Sequence, residues 1–370
     1  MSNDQLTYRF LFAGGGTGGH LYPAIAVAQK LLELQPESKI LFVGTKKKIE
    51  ARVLPKLGFD LRTIWISGIT RKLTLKNLLF PIKLIVSMLQ SIMISIKYKP
   101  HVAIGTGAYV SGPAIWGASF MGARVVLMEQ NSYPGLTNRL LEKKARKIFV
   151  SFEESKKYFH DPSKLVNSGN PIRVDIRLQD RETALEHFDL DKDKKTLVII
   201  GGSLGARSIN NAIEKNLDRL QELEIQVLWQ TGEFYFEQFK KYDSDLVKVK
   251  KYFDNISLTY SIADLLIVRA GATTIAEVAL LGLPVIFVPS PNVAEDHQYK
   301  NAKVLYDFDA AELIRDDEIS DRIVGAVKNL IFDDETLNKY RNNIKKFAKP
   351  DAANIIANEI MKLASNDIGD

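Results

Sequence analysis

Five glycines within six positions, Gly14 to Gly19 around Thr17, run directly into His20. Glycine lets a backbone turn sharply and present its N–H groups, and a helix opening there adds partial positive charge. Such a turn can cradle a phosphate or pyrophosphate. Its spacing also fits G-x-G-x-x-G at Gly14, Gly16 and Gly19, the form of a dinucleotide site, and a plain tight turn is the bland alternative. His20 carries the side chain that titrates nearest neutral pH, so at this loop it is a candidate general base; phosphate binding or helix capping are its other readings. Further along, Arg269-Ala270-Gly271-Ala272-Thr273-Thr274-Ile275-Ala276-Glu277 joins small residues, two hydroxyls and a carboxylate. The threonines can donate to phosphate and Glu277 can accept from paired ribose hydroxyls, unless Glu277 closes a capping box with Thr274.

These residues need elements to hold them. Tyr8 to Phe12 reads as a buried strand before the first glycine run, and Pro23 to Leu34 as a helix after it, with Ile25, Ala28, Leu31 and Leu32 at helical spacing. The next strand, Lys39 to Val43, ends in Lys46, Lys47 and Lys48 rather than in the acidic residue that holds a dinucleotide ribose, which weakens that reading. His101 to Ile104 opens into a second glycine-rich turn, Gly105 to Pro113, and Ala123 to Met128 ends in Glu129-Gln130-Asn131. Lys147 to Val150 is expected to close the first domain, and Ser168-Gly169-Asn170-Pro171-Ile172-Arg173 to form the joint.

The pattern then restarts. Thr196 to Ile200 leads through Gly201-Gly202-Ser203-Leu204-Gly205-Ala206 into a helix from Ser208. Ile225 to Gln230, Val247 to Lys250 and Leu265 to Val268 are further strands. Pro284 to Pro289 is expected to be the last, with Glu295-Asp296-His297-Gln298 after it and an amphipathic helix over Ala352 to Leu363. Strands alternating with helices predict parallel sheets covered on both faces, in two Rossmann-like α/β domains with the site in the cleft between them. The expected limits are 1–168, 169–345 and a closing helix and tail over 346–370.

At 370 residues the chain exceeds one ordinary core, and 46% apolar with 25% charged residues is a soluble globular composition. With no cysteine there is neither a disulfide nor a thiolate metal site, which suits a reducing compartment. A net charge of +6 suits an anionic substrate or membrane surface, and no Arg-rich or aromatic-interleaved motif points to nucleic acid. The polar start, MSNDQLTYR, has no apolar core of a secretory signal. Leu75 to Ile96 is the most apolar stretch. Lys76, Lys83, Pro81 and Gln90 argue against a membrane span and leave two readings, a helix packed on the sheet or an apolar face ringed by Lys72, Lys76, Lys83, Lys97 and Lys99 that dips among lipid headgroups.

Taken in order, GGGTGGH, GTGAYVSGP, EQNSYPGLTN, GNPIR, GGSLGA and RAGATTIAE resemble the MurG family over nearly the whole chain. That resemblance implies a GT-B glycosyltransferase that moves N-acetylglucosamine from UDP-N-acetylglucosamine to lipid I, completing lipid II in peptidoglycan synthesis. It places the donor mainly on the C-terminal domain and the polyprenyl-linked acceptor on the N-terminal domain, peripherally at the cytoplasmic face of the membrane. It assigns Thr17, Gly18 and Gly19 to the sugar and diphosphate side, Asn131 to the N-acetylglucosamine moiety, and Arg173 and Ser203 to the diphosphate. Phe253 matches a position whose backbone reads uracil. Ala272, Thr273, Thr274, Ile275, Ala276 and Glu277 wrap the phosphates and ribose, with Glu277 on the ribose hydroxyls, and Gln298 meets the sugar hydroxyls. Leu204 stands where the family often has glutamine, and His297 where a glutamine pair is common, so neither carries over a side-chain contact.

The implied chemistry is an oxocarbenium-like displacement in which charge builds on the leaving UDP. Backbone N–H groups, a helix N-terminus, Arg173 and the threonines can meet that charge, and no Asp-x-Asp pair stands at a strand end, so neither metal nor cofactor is expected. The acceptor C4 hydroxyl is a poor nucleophile, which makes His20 the expected base, and in-line attack predicts inversion. A UDP-sugar epimerase would require several cleft carboxylates and no membrane face. An NADP-dependent oxidoreductase would leave Arg173 and the Ala272–Glu277 motif without a task, and a non-catalytic nucleotide-sugar binder would survive loss of His20.

Overall fold

The computed structural model describes residues 7–68, 78–173, 175–202 and 204–365; Lys72, Leu75, Lys76 and Ser203 lie outside them. The chain divides into two compact units, Met1–Arg173 with Lys349–Asp370, and Val174–Ala348.

In the first unit the chain runs β1 (Arg9–Ala13), α1 (Gly18–Leu34), β2 (Lys39–Gly44), α2 (Ile49–Val53), β3 (Asp60–Thr63), α3 (Phe80–Tyr98), β4 (Val102–Gly105), α4 (Ala108–Phe120), β5 (Arg124–Glu129), α5 (Leu136–Leu141), β6 (Ala145–Val150) and β7 (Leu165–Asn167). The second unit follows with α6 (Arg181–Phe188), β8 (Thr196–Ile200), α7 (Arg207–Gln221), β9 (Gln226–Gln230), α8 (Phe236–Phe239), β10 (Val247–Lys250), α9 (Ile256–Ser261), β11 (Leu265–Val268), α10 (Ala272–Leu281), β12 (Val285–Phe287), α11 (His297–Asp307), β13 (Glu312–Leu313), α12 (Ile319–Ile331) and α13 (Asp334–Lys345). The chain ends its described part in α14 (Ala352–Ser365), which belongs to the first unit.

Both sheets are parallel, in the orders β3-β2-β1-β4-β5-β6-β7 and β10-β9-β8-β11-β12-β13. Strand direction of growth reverses between β1 and β4 in one sheet and between β8 and β11 in the other, and ligands of open α/β sheets bind at such a crevice. Successive residues of β1 face opposite sides. Phe10 and Phe12 pack with Ile25 and Leu31 of α1 and with Ile356 and Ile360 of α14. Leu11 and Ala13 pack with Val110, Ile115 and Ala118 of α4. The second core closes around the fully buried Trp229, whose indole N–H donates to Asn210 at 3.0 Å.

Several boundaries differ from the sequence expectation. β7 lies beyond β6 and β13 beyond β12, so neither Lys147–Val150 nor Pro284–Pro289 is the last strand of its sheet. Each added strand has at most three residues, too few for an alternation signal. The first helix begins at Gly18 rather than Pro23, so Gly18, Gly19 and His20 are its opening turn and Thr17 its N-cap.

α3 is built inside out for a soluble helix. Ser87, Ser91 and Ser95 are buried, whereas Ile82, Ile85, Leu89, Met93 and Ile96 are exposed. The serine edge lets α4 approach so closely that a Cβ on Gly117 would stand 2.8 Å from Ser91 Cβ. Pro81 sits in the first turn, where its missing N–H has no helical partner to lose. The helix is long and apolar enough to cross a membrane by length and composition, yet only 17% of it is buried.

Candidate functional site

At the crevice between β1 and β4, two glycine turns are stitched together by short-range hydrogen bonds. Thr106 N–H donates to Ala13 O at 2.9 Å, and Thr106 Oγ1 donates to His20 O at 2.9 Å. Ser111 Oγ, one turn into α4, bonds the carbonyls of both Ala13 and Gly107. The glycines are required by these approaches: a Cβ on Gly14 would lie 1.8 Å from Thr106 Oγ1. Gly107, at φ +94°, leaves room for the His20 ring, whose Cε1 would be 2.9 Å from an added Cβ. The next residue, Ala108, also has positive φ (+62°), a strained conformation for a side chain with a Cβ and one that clusters at functional sites.

His20 is held through one nitrogen. Its Nδ1 lies 2.7 Å from the Thr106 carbonyl and 3.1 Å from Gln130 Oε1. Both partners are acceptors, so they select the tautomer with the proton on Nδ1 and turn an Nε2 lone pair outward. A ring held this way can take a proton at Nε2 as a base, or, once protonated, donate from Nε2 to an anion such as phosphate. Beside it α1 offers the N–H groups of Gly18, Gly19 and His20, since its first helical bond runs from Leu21 N–H to Thr17 O. Thr17 is exposed and its hydroxyl makes no capping bond, and a Cβ on Gly19 would meet no atom within 4 Å.

Two buried carboxylates fix the surrounding loops, and the sequence reading passed over both roles. Glu129 accepts from Asn131 N–H at 3.0 Å, Asn131 Nδ2 at 3.3 Å, Gly135 N–H at 3.0 Å and Asn138 Nδ2 at 2.9 Å, folding the EQNSYPG loop onto itself. Asn131 is thereby placed at the end of β5, the strand neighbouring β4. Glu50, fully buried, takes bonds from the first glycine run and from the end of β2. Neither role has a sequence signature: Glu129 folds its own loop through a mix of backbone and Asn side-chain donors, and Glu50 joins the neighbouring Thr45 to the distant Gly16.

In the second unit the turn after β8 has Gly202 and Gly205 at φ +90° and +85°. Gln230, buried at the end of β9, donates from Nε2 to Gly202 O at 3.1 Å and accepts at Oε1 from Phe253 N–H at 2.9 Å. Phe253 therefore has its N–H taken, and its carbonyl carries no hydrogen bond among the described residues. α10 starts at Ala272 behind an extended Gly271, so Thr273 and Thr274 lie in its first turn. Thr274 is not the N-cap, which removes the capping-box reading of Glu277; Glu277 instead accepts from the Tyr260 hydroxyl at 2.8 Å. Gln298, second residue of α11, accepts at Oε1 from Ser290 N–H at 2.8 Å and keeps its amide N–H groups for other partners.

Arg269 of the RAGATTIAE motif is a clasp within the unit. It donates to the carbonyls of Val288 and Pro289 at 3.0 and 3.1 Å, to Ser208 Oγ at 2.7 Å and to Asp316, tying the ends of β11 and β12 together. Arg173 is the half-buried last residue of the first unit's long segment, and Ser203 lies outside the described residues. Leu204 is exposed. Among the described residues no group of three or more His, Asp or Glu side chains is placed to hold a metal ion.

Residues 10–150 match the glycosyltransferase family 28 N-terminal domain, and residues 196–356 its C-terminal domain. A Christiangramia forsetii protein named UDP-N-acetylglucosamine--N-acetylmuramyl-(pentapeptide) pyrophosphoryl-undecaprenol N-acetylglucosamine transferase is 44% identical, over 97% of this chain and 99% of its own length. A Flavobacterium psychrophilum protein of the same name is 43% identical, over 97% and 98%. The crystal structure of Acinetobacter baumannii MurG aligns with TM-score 0.76 and 26% identity, covering 96% of this chain and all of that one. The two parallel-sheet units have the GT-B arrangement of elements, and the chain belongs to the MurG family within glycosyltransferase family 28.

Proposed function

We propose that this chain transfers N-acetylglucosamine from UDP-N-acetylglucosamine to the C4 hydroxyl of the muramyl sugar of lipid I, forming lipid II. The observation that carries the proposal is His20, in the amide-rich opening turn of α1, pinned through Nδ1 to the Thr106 carbonyl with Nε2 left to take a proton. The acceptor oxygen attacks C1 of the donor sugar, Nε2 takes its proton, and the C1–O bond to the β-phosphate breaks. UDP leaves with the bonding pair, and the α-linked donor yields a β-linked product. The charge on UDP is met by the N-terminus of α10, the hydroxyls of Thr273 and Thr274, Ser203 and Arg173. Phe253 reads uracil N3–H through its carbonyl, and Glu277 takes the ribose hydroxyls with Tyr260 steadying its other side. Gln298 donates to the sugar hydroxyls, and Asn131 meets the N-acetylglucosamine moiety.

The exposed face of α3 supports peripheral attachment to the cytoplasmic face of the membrane. Ile82, Ile85, Leu89, Met93 and Ile96 form one apolar stripe, with Lys83, Lys97 and Lys99 on the same helix or at its end. Such a stripe enters the headgroup region while the lysines attract anionic lipid, which leaves the acceptor's polyprenyl chain in the bilayer as its head group reaches the site.

The test is transfer of labelled sugar from UDP-N-acetylglucosamine to a short-chain lipid I analogue, with and without chelator. Chelator-resistant transfer is the expected result, and His20→Ala should keep donor binding while losing about 100- to 10,000-fold in kcat, the usual contribution of a positioned base. Donor binding without transfer by the wild type would remove the lipid II assignment.

A further inference from the structure

Glu50 is a buried acid that the chemistry above does not use. It sits near the start of α2, on an element that contributes nothing else to the site, and its side chain is 0% exposed. Its two oxygens have different tasks. Oε1 accepts from Thr45 N–H at 2.9 Å and Thr45 Oγ1 at 2.7 Å, both at the end of β2. Oε2 accepts from Gly16 N–H at 2.9 Å, inside the glycine run. The carboxyl is wedged between glycines: a Cβ on Gly15 would lie within 2.6–2.9 Å of its three carboxyl atoms, and one on Gly44 2.6 Å from its Cγ.

The bond to Gly16 has a geometric consequence. Gly16 holds φ +80°, and its N–H points into the protein at Glu50, not outward at a ligand. With that peptide locked, Thr17 adopts its extended N-cap conformation and α1 starts at Gly18, which aims the free amides of Gly18, Gly19 and His20 and sets the root of the His20 side chain. The far side of His20 is anchored independently by Thr106 and Gln130. Among the described residues, Glu50 is the side chain that bonds the loop between the end of β1 and the start of α1 at Gly16.

We infer that Glu50 is a positioning residue for sugar transfer, holding the Gly14–Gly19 loop so that the α1 amides and His20 meet the reacting groups. This rests on the proposed transferase reading and extends it to a residue that touches no substrate. Because both Thr45 bonds fall on one oxygen and the Gly16 bond on the other, Glu50→Gln separates the two tasks. Glutamine keeps a carbonyl oxygen for Thr45 and sets an N–H2 against Gly16 N–H, two donors face to face. The loop end is released while the β2 end stays tied.

The experiment compares full-length wild type, Glu50→Gln and Glu50→Asp by backbone amide exchange, UDP affinity, thermal midpoint and kcat for transfer to the lipid I analogue. In Glu50→Gln the Gly16 amide should exchange at least about tenfold faster while the β1 and β2 amides stay at wild-type values and UDP affinity falls by no more than about a few-fold. Its kcat should fall about 10- to 100-fold, the loss expected when reacting groups move by about an ångström. Glu50→Asp, one methylene short of spanning Thr45 and Gly16, should show the same exchange pattern and an intermediate kcat. Unchanged Gly16 exchange in both variants, or wild-type kcat in a variant whose Gly16 amide is released, overturns the inference. A loss of kcat that only follows a lowered thermal midpoint, with exchange raised across β1 and β2 alike, overturns it too by assigning Glu50 to general stability. Wild-type protein that transfers no sugar overturns the transferase reading alone, and the exchange comparison then decides the loop assignment by itself.

Discussion

Gly14 and Gly19 belong to one glycine run and answer to opposite constraints. Gly14 is glycine because the protein leaves no room: a Cβ there would lie 1.8 Å from Thr106 Oγ1. Gly19 is helical, has no positive φ, and faces open space within 4 Å. Among the described residues nothing requires glycine at position 19, and alanine is favoured over glycine in a helix by about 1 kcal/mol. The vacant space is where the proposed sugar and diphosphate approach the α1 amides. Gly19→Ala should therefore raise the thermal midpoint or leave it unchanged, while turnover falls and the apparent KM for substrate rises. Thermal melts beside steady-state kinetics check this, and a variant both more stable and fully active would show that no ligand packs against Gly19. The residues that could be named from sequence, His20 and Glu277 among them, stand in or beside turns whose glycine content is itself a signal. Glu50 and Gln230 could not, since each bonds distant backbone groups and looks, in sequence, like any polar residue near a strand or helix end, and Gln130, though it stands among the polar residues ending β5, has no sequence mark that pairs it with His20.

Among the elements, α3 shows why composition alone left two readings open. Apolar content reports how many hydrophobic side chains a helix has, not which way they face, and here the inward edge is serine. Ser91 Oγ donates back to Ser87 O at 2.6 Å, so the buried hydroxyl is satisfied within the helix and presents a smooth edge to Gly117. Packing on α4 thus depends on small residues flanked by the half-buried Leu84 and Ile94, and leaves Ile82, Ile85, Leu89, Met93 and Ile96 outside. A helix turned this way predicts a separation of stability from attachment. Replacing Ile82, Ile85 and Leu89 together by serine should leave the thermal midpoint nearly unchanged and abolish co-sedimentation with anionic vesicles. If the triple variant unfolds instead, those side chains are packed within the protein and the membrane reading of α3 falls. The central strands and glycine turns were readable because each pairs an apolar run with a break. The edge strands β3, β7 and β13 were not, being short and half-buried at most of their positions.

For the whole chain, the order of residues and the order of units do not coincide. The sequence suggested a closing helix and tail set apart from both domains, but α14 packs on α1, with Ile356, Ala357, Ile360 and Ala364 buried in the first unit's core beside Phe10 and Phe12. The first unit is therefore assembled from both ends of the described chain, whereas the second, Val174–Ala348, is continuous. Burying a side chain the size of isoleucine contributes about 1.5–3 kcal/mol, so losing Ile356 and Ile360 alone removes several kcal/mol from a domain whose total stability is about 5–15 kcal/mol. A fragment ending at residue 348 should lose cooperative folding of its first unit, with the α1 face exposed and aggregation following. The fragment 174–348 should fold, because its sheet, its Trp229 core and the Arg269 clasp lie within it. It should also bind UDP, though more weakly than the full chain, since Phe253, Thr273, Thr274 and Glu277 are all on that segment while Arg173 is not, and it should transfer no sugar, since His20 is absent from it. Calorimetry with UDP on the fragment is the measurement: a folded fragment that fails to bind would mean that the nucleotide needs contacts from the first unit, and the division of labour proposed between the two would be wrong.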